Sequence, residues 1–205
     1  MNNFDTIARY YDRLARFVFG DSIVKAQTHF LHLIKPHANV LILGGGSGWI
    51  LDELNKLQKP VTIWYIELSG EMLSMARRRS NLFLSVHFIQ GSEKDIPDNV
   101  LYDVVITNFF LDLFKKEHLK STMDTILSSL KPEGIWLACD FVNRNWWHKF
   151  LLWVMYRFFK LTTRIEATAL PPWEELMHLE MREVCSNSFF KNFIKSSVFQ
   201  KDSIP

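Results

Sequence analysis

The apolar run Val40-Leu41-Ile42-Leu43 breaks directly into Gly44-Gly45-Gly46-Ser47-Gly48. A second apolar run, Ile63-Trp64-Tyr65-Ile66, ends on Glu67 about twenty residues further on. Between the two, Leu51, Leu54 and Leu57 fall on one helical face, and Pro60 marks the end of that helix. The layout is a strand, a glycine turn, a helix and a second strand tipped by an acid. In an open α/β sheet a ligand binds outside the carboxyl ends of the strands, where glycines let it approach the backbone. This unit predicts an adenosine-containing cofactor and leaves open which one.

The same alternation runs on along the chain. Phe4, Ile7, Ala8, Tyr11, Leu14, Ala15 and Val18 recur at helical spacing as far as Gly20. A second helix is expected from an N-cap at Asp21 or Ser22 to a point before Pro36. Strands are expected at Asn39–Leu43, Val61–Ile66, Ser85–Gln90, Tyr102–Thr107 and Ile135–Phe141. Ser69 is placed to cap a helix carrying Met72, Leu73, Met75 and Ala76, with Glu71 in its first turn. A stripe from Leu119 to Leu130 marks another helix, which Lys131-Pro132-Glu133-Gly134 ends. Near-continuous apolar strands alternating with helices imply a mostly parallel sheet covered on both faces. After Phe141 come an aromatic helix at Asn145–Lys160, a shorter helix at Pro171–Glu183, and strands at about Val184–Phe190 and Phe193–Lys201. These last two are expected as an antiparallel pair at the sheet edge.

The chain's 205 residues suit one domain. Within it, residues 1–36 are N-terminal helices, 37–141 the cofactor-binding core, 142–183 an aromatic helical insertion and 184–205 the C-terminal strands. A formal net charge of +2 gives no concentrated basic face, so no nucleic acid is expected. Arg77-Arg78-Arg79 is read as the solvated end of a helix. Cys139 and Cys185 make neither a disulfide framework nor a metal motif, which suits a reduced, cytoplasmic setting. The N-terminus lacks the pattern of a signal peptide, and no apolar run is long enough to span a membrane. The histidines form no metal constellation; His29 and His32 lie three apart without a nearby carboxylate.

A dinucleotide site wants Gly-x-Gly-x-x-Gly, and Trp49 stands where its third glycine belongs. Read as Gly-x-Gly-x-Gly, the loop fits on Gly44, Gly46 and Gly48, a turn suited to a nucleoside with an amino-acid tail. Glu67 at the strand tip can accept hydrogen bonds from both ribose hydroxyls. Further motifs follow. They are Glu67-Leu68-Ser69-Gly70-Glu71-Met72-Leu73-Ser74-Met75-Ala76, Phe88-Ile89-Gln90-Gly91-Ser92-Glu93, Tyr102-Asp103-Val104-Val105 and Leu130-Lys131-Pro132-Glu133-Gly134. With these residues the chain resembles the class I S-adenosylmethionine-dependent methyltransferases, from about Phe4 to Phe141. Phe4-Asp5, Ala8, Tyr11-Asp12 and Leu14 are similar to the quinone-biosynthesis C-methyltransferases and their small-molecule relatives. Two positions depart from the family pattern. Ile42 stands where an acid is usual, and Ser92 replaces the adenine-contacting Asp.

The resemblance implies a Rossmann-like three-layer sandwich. Its seven-stranded sheet is mostly parallel, with an antiparallel C-terminal edge strand, N-terminal helices and a helical lid after the fifth strand. It implies S-adenosylmethionine as cofactor, held by Tyr11, Gly44, Gly45, Gly46, Ser47, Gly48, Glu67, Leu68, Ser69, Met72, Gly91, Ser92, Glu93, Asn108 and Phe109. Glu93 is a candidate to take over the adenine contact that Ser92 lacks. Phe110 and, from the lid, Trp146, Trp147 and Phe150 are candidates for the acceptor pocket. The cofactor carries the hard step, so no nucleophilic triad is needed. Asp112 and Asp140 are candidate general bases, each with a plain structural alternative, and His148 is a further candidate set against ordinary packing.

The aromatic segment from Trp146 to Phe159 is apolar nearly all round. A substrate lid, a buried structural helix, and a membrane or homodimer surface flanked by Arg144, Lys149, Arg157, Lys160 and Arg164 all stand open. The leading function is methyl transfer to a small, apolar or aromatic acceptor. The alternative is a non-catalytic cofactor-binding or assembly protein that keeps the fold. A nicotinamide oxidoreductase is third, and Trp49 counts against it.

Overall fold

A computed structural model describes residues 18–79, 82–162, 167 and 169–201, with the backbone alone for 158–162. Tyr11 and most of the first expected helix lie outside the described residues; only its end is seen, Val18 and Phe19 helical before the turn at Gly20. The strands are β1 (Asn39–Leu43), β2 (Val61–Glu67), β3 (Leu84–Gln90), β4 (Tyr102–Asn108), β5 (Leu130–Phe141), β6 (Arg182–Phe189) and β7 (Ile194–Gln200). They form a seven-stranded sheet in the order β3-β2-β1-β4-β5-β7-β6. β1 pairs in parallel with both β2 and β4, and the parallel ladder extends to β3 and β5. β7 is antiparallel to both β5 and β6, which gives the expected C-terminal hairpin.

Helices α1 (Asp21–Thr28), α2 (Trp49–Lys56), α3 (Gly70–Arg77), α4 (Lys116–Ser129), α5 (Trp146–Thr162) and α6 (Trp173–Glu180) cover the sheet. Side chains alternate along β1: Val40 and Ile42 join the core under α2 and α3, while Leu41 and Leu43 join the core under α4 and α6. A third core, built on Phe19, Ile23, Leu152, Tyr156 and Phe193, fills the space between α1, α5 and the tips of β5 and β7. Because β1 has parallel partners on both sides, the strand order reverses beside it. A cleft opens there at the carboxyl ends of the strands.

The boundaries differ from the expected ones for local reasons. The second helix stops at Thr28, whose hydroxyl donates back to the Val24 carbonyl (2.9 Å), and a 3-10 turn at Leu31–Leu33 follows. Its N-cap is Gly20, with no side-chain cap bond, rather than Asp21 or Ser22. Lys131–Gly134 does not separate α4 from the fifth strand. Leu130 already pairs with Tyr102, the ladder shifts, and pairing resumes at Val104 with Ile135. Glu133, at φ 60°, absorbs the bend. At the far end, Lys195 on β7 is almost wholly buried and joins Glu174 of α6 (3.0 Å) to Glu183 of β6 (2.8 Å).

Candidate active site

The glycine loop leaves β1 with its backbone bent by left-handed residues, and two of its glycines are required for different reasons. At Gly48, φ is 81° and an added Cβ would lie 2.6 Å from the Ala76 Cβ, so α2 and α3 pack through the missing side chain. At Gly46, φ is 65° but an added Cβ would meet nothing nearer than the Met72 sulfur at 3.9 Å. This stretch of main chain therefore faces open space.

Glu67, at the tip of β2, turns toward that stretch. Its Oε2 accepts from the Gly46 amide (2.9 Å) and its Oε1 from the Ser69 amide (2.8 Å), with the residue only 8% exposed. The Tyr65 hydroxyl donates to the Gly46 carbonyl (3.0 Å), and Arg79 donates to the Ser47 carbonyl (2.8 Å) while also bonding Asp52. Arg79 is thus a clamp on the loop rather than part of a solvated helix end. Ser69 caps α3 through the Met72 amide (3.2 Å), which brings Met72 to the loop. Leu68 is exposed beside Glu67. Ile42, where the family places an acid, is buried in the core and offers no polar atom.

The turn after β3 is braced by Asp95, which belongs to none of the motifs above. Ser92 and Asp95 form a reciprocal capping box: Asp95 Oδ2 accepts from the Ser92 amide (2.8 Å), and the Ser92 hydroxyl accepts from the Lys94 amide (3.3 Å). An added Cβ on Gly91 would lie 2.3 Å from that carboxylate, so Gly91 is where the acid needs space. The Ser-x-x-Asp spacing was the available signal. Glu93 is half-buried in the same turn.

At the tip of β4, Asn108 is half-buried and Phe109 adopts φ 51°, an uncommon conformation for a bulky residue. It is held by its amide bond to the Cys139 carbonyl (2.8 Å) and by ring contact with Phe141 (4.6 Å). Phe110 is buried against Gly44 and Phe114, below the loop.

Behind this tip lie Asp112 and Asp140, 4% and 1% exposed. Asp140 Oδ2 accepts from the amides of Leu111 (3.0 Å) and Asp112 (3.2 Å), and Oδ1 from its neighbour Phe141 (2.8 Å). Asp112 Oδ1 is buried with no hydrogen-bond partner. Burial pushes the Asp112 carboxyl up to about 7. Burial and the Asp112 charge also raise Asp140, so the pair keeps a proton into the neutral range. Three amide donors favour charge on Asp140, which leaves the proton on Asp112.

The Tyr156 hydroxyl of α5 donates to the Asp112 carbonyl (3.2 Å). Its phenol is raised by burial and by the two acids beneath it. No sequence pattern singled it out. His148 is fully buried between Trp147 and Phe193; its Nδ1 accepts from the Arg144 amide (3.0 Å), and burial lowers its pKa. A neutral, enclosed imidazole fits the packing reading. Trp147 turns inward onto Phe193 (5.7 Å). Trp146 and Phe150 do not: at 82% and 63% exposed they lie on the outer face of α5. Among the described residues, no group of His, Cys, Asp and Glu is arranged to hold a metal, and no helix is long and apolar enough to cross a membrane.

A family model described as a methyltransferase domain matches residues 40–134, the span from β1 to the bend in β5. That match spans the glycine turn, Glu67, the Ser92 turn and the tip of β4. Over 111 residues the chain is 33% identical to malonyl-[acyl-carrier protein] O-methyltransferase of Halalkalibacterium halodurans. That stretch is 52% of this chain and 40% of the relative's length. A chain from the complex of the Haloferax volcanii Trm112 methyltransferase activator with a methyltransferase superposes with TM-score 0.72 at 16% identity, covering 98% of this chain and 99% of that one. The Burkholderia thailandensis 1,6-didemethyltoxoflavin-N1-methyltransferase, solved with 1,6-didemethyltoxoflavin and S-adenosylhomocysteine, superposes at 0.69 and 16% identity, covering 98% and 87%. At these identities the two structures attest the fold.

Proposed function

We propose that the chain transfers a methyl group from S-adenosylmethionine to a small, apolar or aromatic acceptor. The contact of Glu67 with the Gly46 amide (2.9 Å) carries this reading, because it sets a carboxylate against bare backbone where the strand order reverses. The residues present fit the cofactor. A carboxylate accepts up to about four hydrogen bonds, so its two amide contacts are compatible with a ribose diol. Gly46 would leave room for the sugar and the amino-acid tail beside Met72, and exposed Leu68 would offer an apolar surface to the base. The Gly91-Ser92-Glu93 turn, braced by Asp95, supplies polar groups to the base's edge in place of the family's Asp.

When bound, S-adenosylmethionine supplies an activated methyl on a sulfonium centre, and the chain's work is then to align an acceptor with it. Such alignment is worth about 7–11 kcal/mol of a barrier. Asn108 and Phe109, held rigidly at the β4 tip, are the alignment surface. Asp140 ties the turn after β4 to β5. Asp112 is the candidate base for an oxygen or nitrogen acceptor above about pH 7, where the pair has lost its proton, and its buried Oδ1 must first be uncovered for that task.

Calorimetry with S-adenosylmethionine and its demethylated product tests the reading. Micromolar binding that weakens at least tenfold in Glu67→Ala, about 1.4 kcal/mol or more, is expected. Absence of binding at millimolar concentration overturns it. Incubating cell extract with enzyme and methyl-labelled cofactor, followed by mass spectrometry, then identifies the acceptor.

A further inference from the structure

We propose that the outward face of α5 seats the protein on an anionic phospholipid membrane surface, the helix lying in the plane of the interface. Trp146, Phe150 and Trp153 are 82%, 63% and 63% exposed, and Val154 is exposed with them. At about 100° per residue these positions, with exposed Lys149 and Arg157, fall within one arc of roughly 140°. The opposite arc carries His148, Leu152 and Tyr156, all buried against the molecule. The helix is therefore fixed from behind, and the described residues leave a large aromatic strip exposed. Isolated exposed apolar residues are ordinary, but a contiguous strip with two tryptophans marks a contact surface.

Charge identifies the occupant. α5 contains no acidic residue along its length. Neither Lys149 nor Arg157 has an acidic partner among the described residues, whereas Arg144 just before the helix is already paired with Glu174 (3.0 Å). Tryptophan and phenylalanine beside unpaired cations match the headgroup boundary, where indole rings sit at the interface and cations meet anionic phosphates. A second copy of the same face is a poorer occupant. A two-fold contact would bring like cations together inside an apolar interface, with no acid on the helix to offset them. At 17 residues the helix is about 25 Å long and lies on a bilayer rather than crossing it.

Vesicle flotation tests this with the intact chain. Vesicles of phosphatidylcholine mixed equally with phosphatidylglycerol are compared with vesicles of phosphatidylcholine alone, at low and at molar salt. The chain is expected to float with the anionic vesicles, at least about tenfold more than with the neutral ones, and to lose that excess in high salt. Trp153→Ser and the pair Lys149→Glu with Arg157→Glu are each expected to cut partition about tenfold or more, with unchanged circular dichroism. These side chains are exposed, so folding does not hang on them. Failure to float, flotation that the substitutions leave intact, or a dimer in sedimentation equilibrium that Trp153→Ser dissociates, would each overturn the proposal.

Discussion

Gly46 and Gly48 stand two residues apart in one loop, yet their replacement by alanine separates cleanly into two effects. At Gly48 the new methyl meets Ala76 at 2.6 Å while the backbone holds φ 81°, so α2 and α3 must part. A loss of about 3 kcal/mol is expected for Gly48→Ala in chemical denaturation, the sum of overpacking and left-handed strain. At Gly46 only the strain applies, about 1 kcal/mol, but the methyl projects into the space proposed for the cofactor. Gly46→Ala should therefore fold nearly as well as the parent and bind S-adenosylmethionine much more weakly in calorimetry. Equal losses of stability would mean the loop is not open at Gly46. At this scale the sequence was informative: a glycine run between two apolar strands leaves few other conformations, and the Glu67 contact follows from strand pairing. Asp95 and Arg79 were less visible. Each acts by bonding the main chain of a particular turn, a geometry that residue type alone does not disclose.

Among the elements, the strands were the most legible, because a buried parallel strand is a continuous apolar run that needs no knowledge of its neighbours. The β6–β7 hairpin was legible as a pair but not in its turn. Phe190, Lys191 and Asn192 take φ of 45°, 54° and 64° in succession, without a glycine among them. The turn is held by the Phe193 amide, which donates to both Phe189 and Phe190 carbonyls at 3.1 Å, and by Phe190 packing edge-on against Phe19 (5.1 Å). Lys191 is exposed, so its side chain gives little in return for the strained backbone. Lys191→Gly is expected to raise stability by about 1 kcal/mol, seen as a higher denaturation midpoint at unchanged slope. A fall in the midpoint would show that the lysine makes a contact worth more than the strain. α5 was legible as a helix but not in orientation. A segment apolar on every side has no period from which an inward face can be read, and only packing against Phe193 and the β4–β5 tips selects one.

For the molecule as a whole, the buried acids make stability depend on pH in an unusual direction. The Asp112 carboxyl, ordinarily near 4, is pushed up to about 7 in the fold, so the folded chain holds a proton that the unfolded chain has released. Between those two values stability falls as pH rises, by at most about 1.4 kcal/mol per pH unit for one group, and it levels off above 7. Asp112→Asn, which carries no ionisable group, should flatten that decline when denaturation is measured from pH 4 to pH 8. An unchanged slope would assign the proton elsewhere. By itself the sequence determined the local conformations: apolar period, glycine spacing and the Ser69 cap act within a few residues and dictate strand, turn and helix. It also put the glycine turn and Glu67 at the carboxyl end of their strands. Only the tertiary structure decided that Asp112 and Asp140 meet, that Tyr156 covers them, and that Trp146 and Phe150 face outward. Those outcomes depend on contacts between segments far apart in the chain, where burial alters the cost of a charge and packing settles which face of a uniformly apolar helix is hidden.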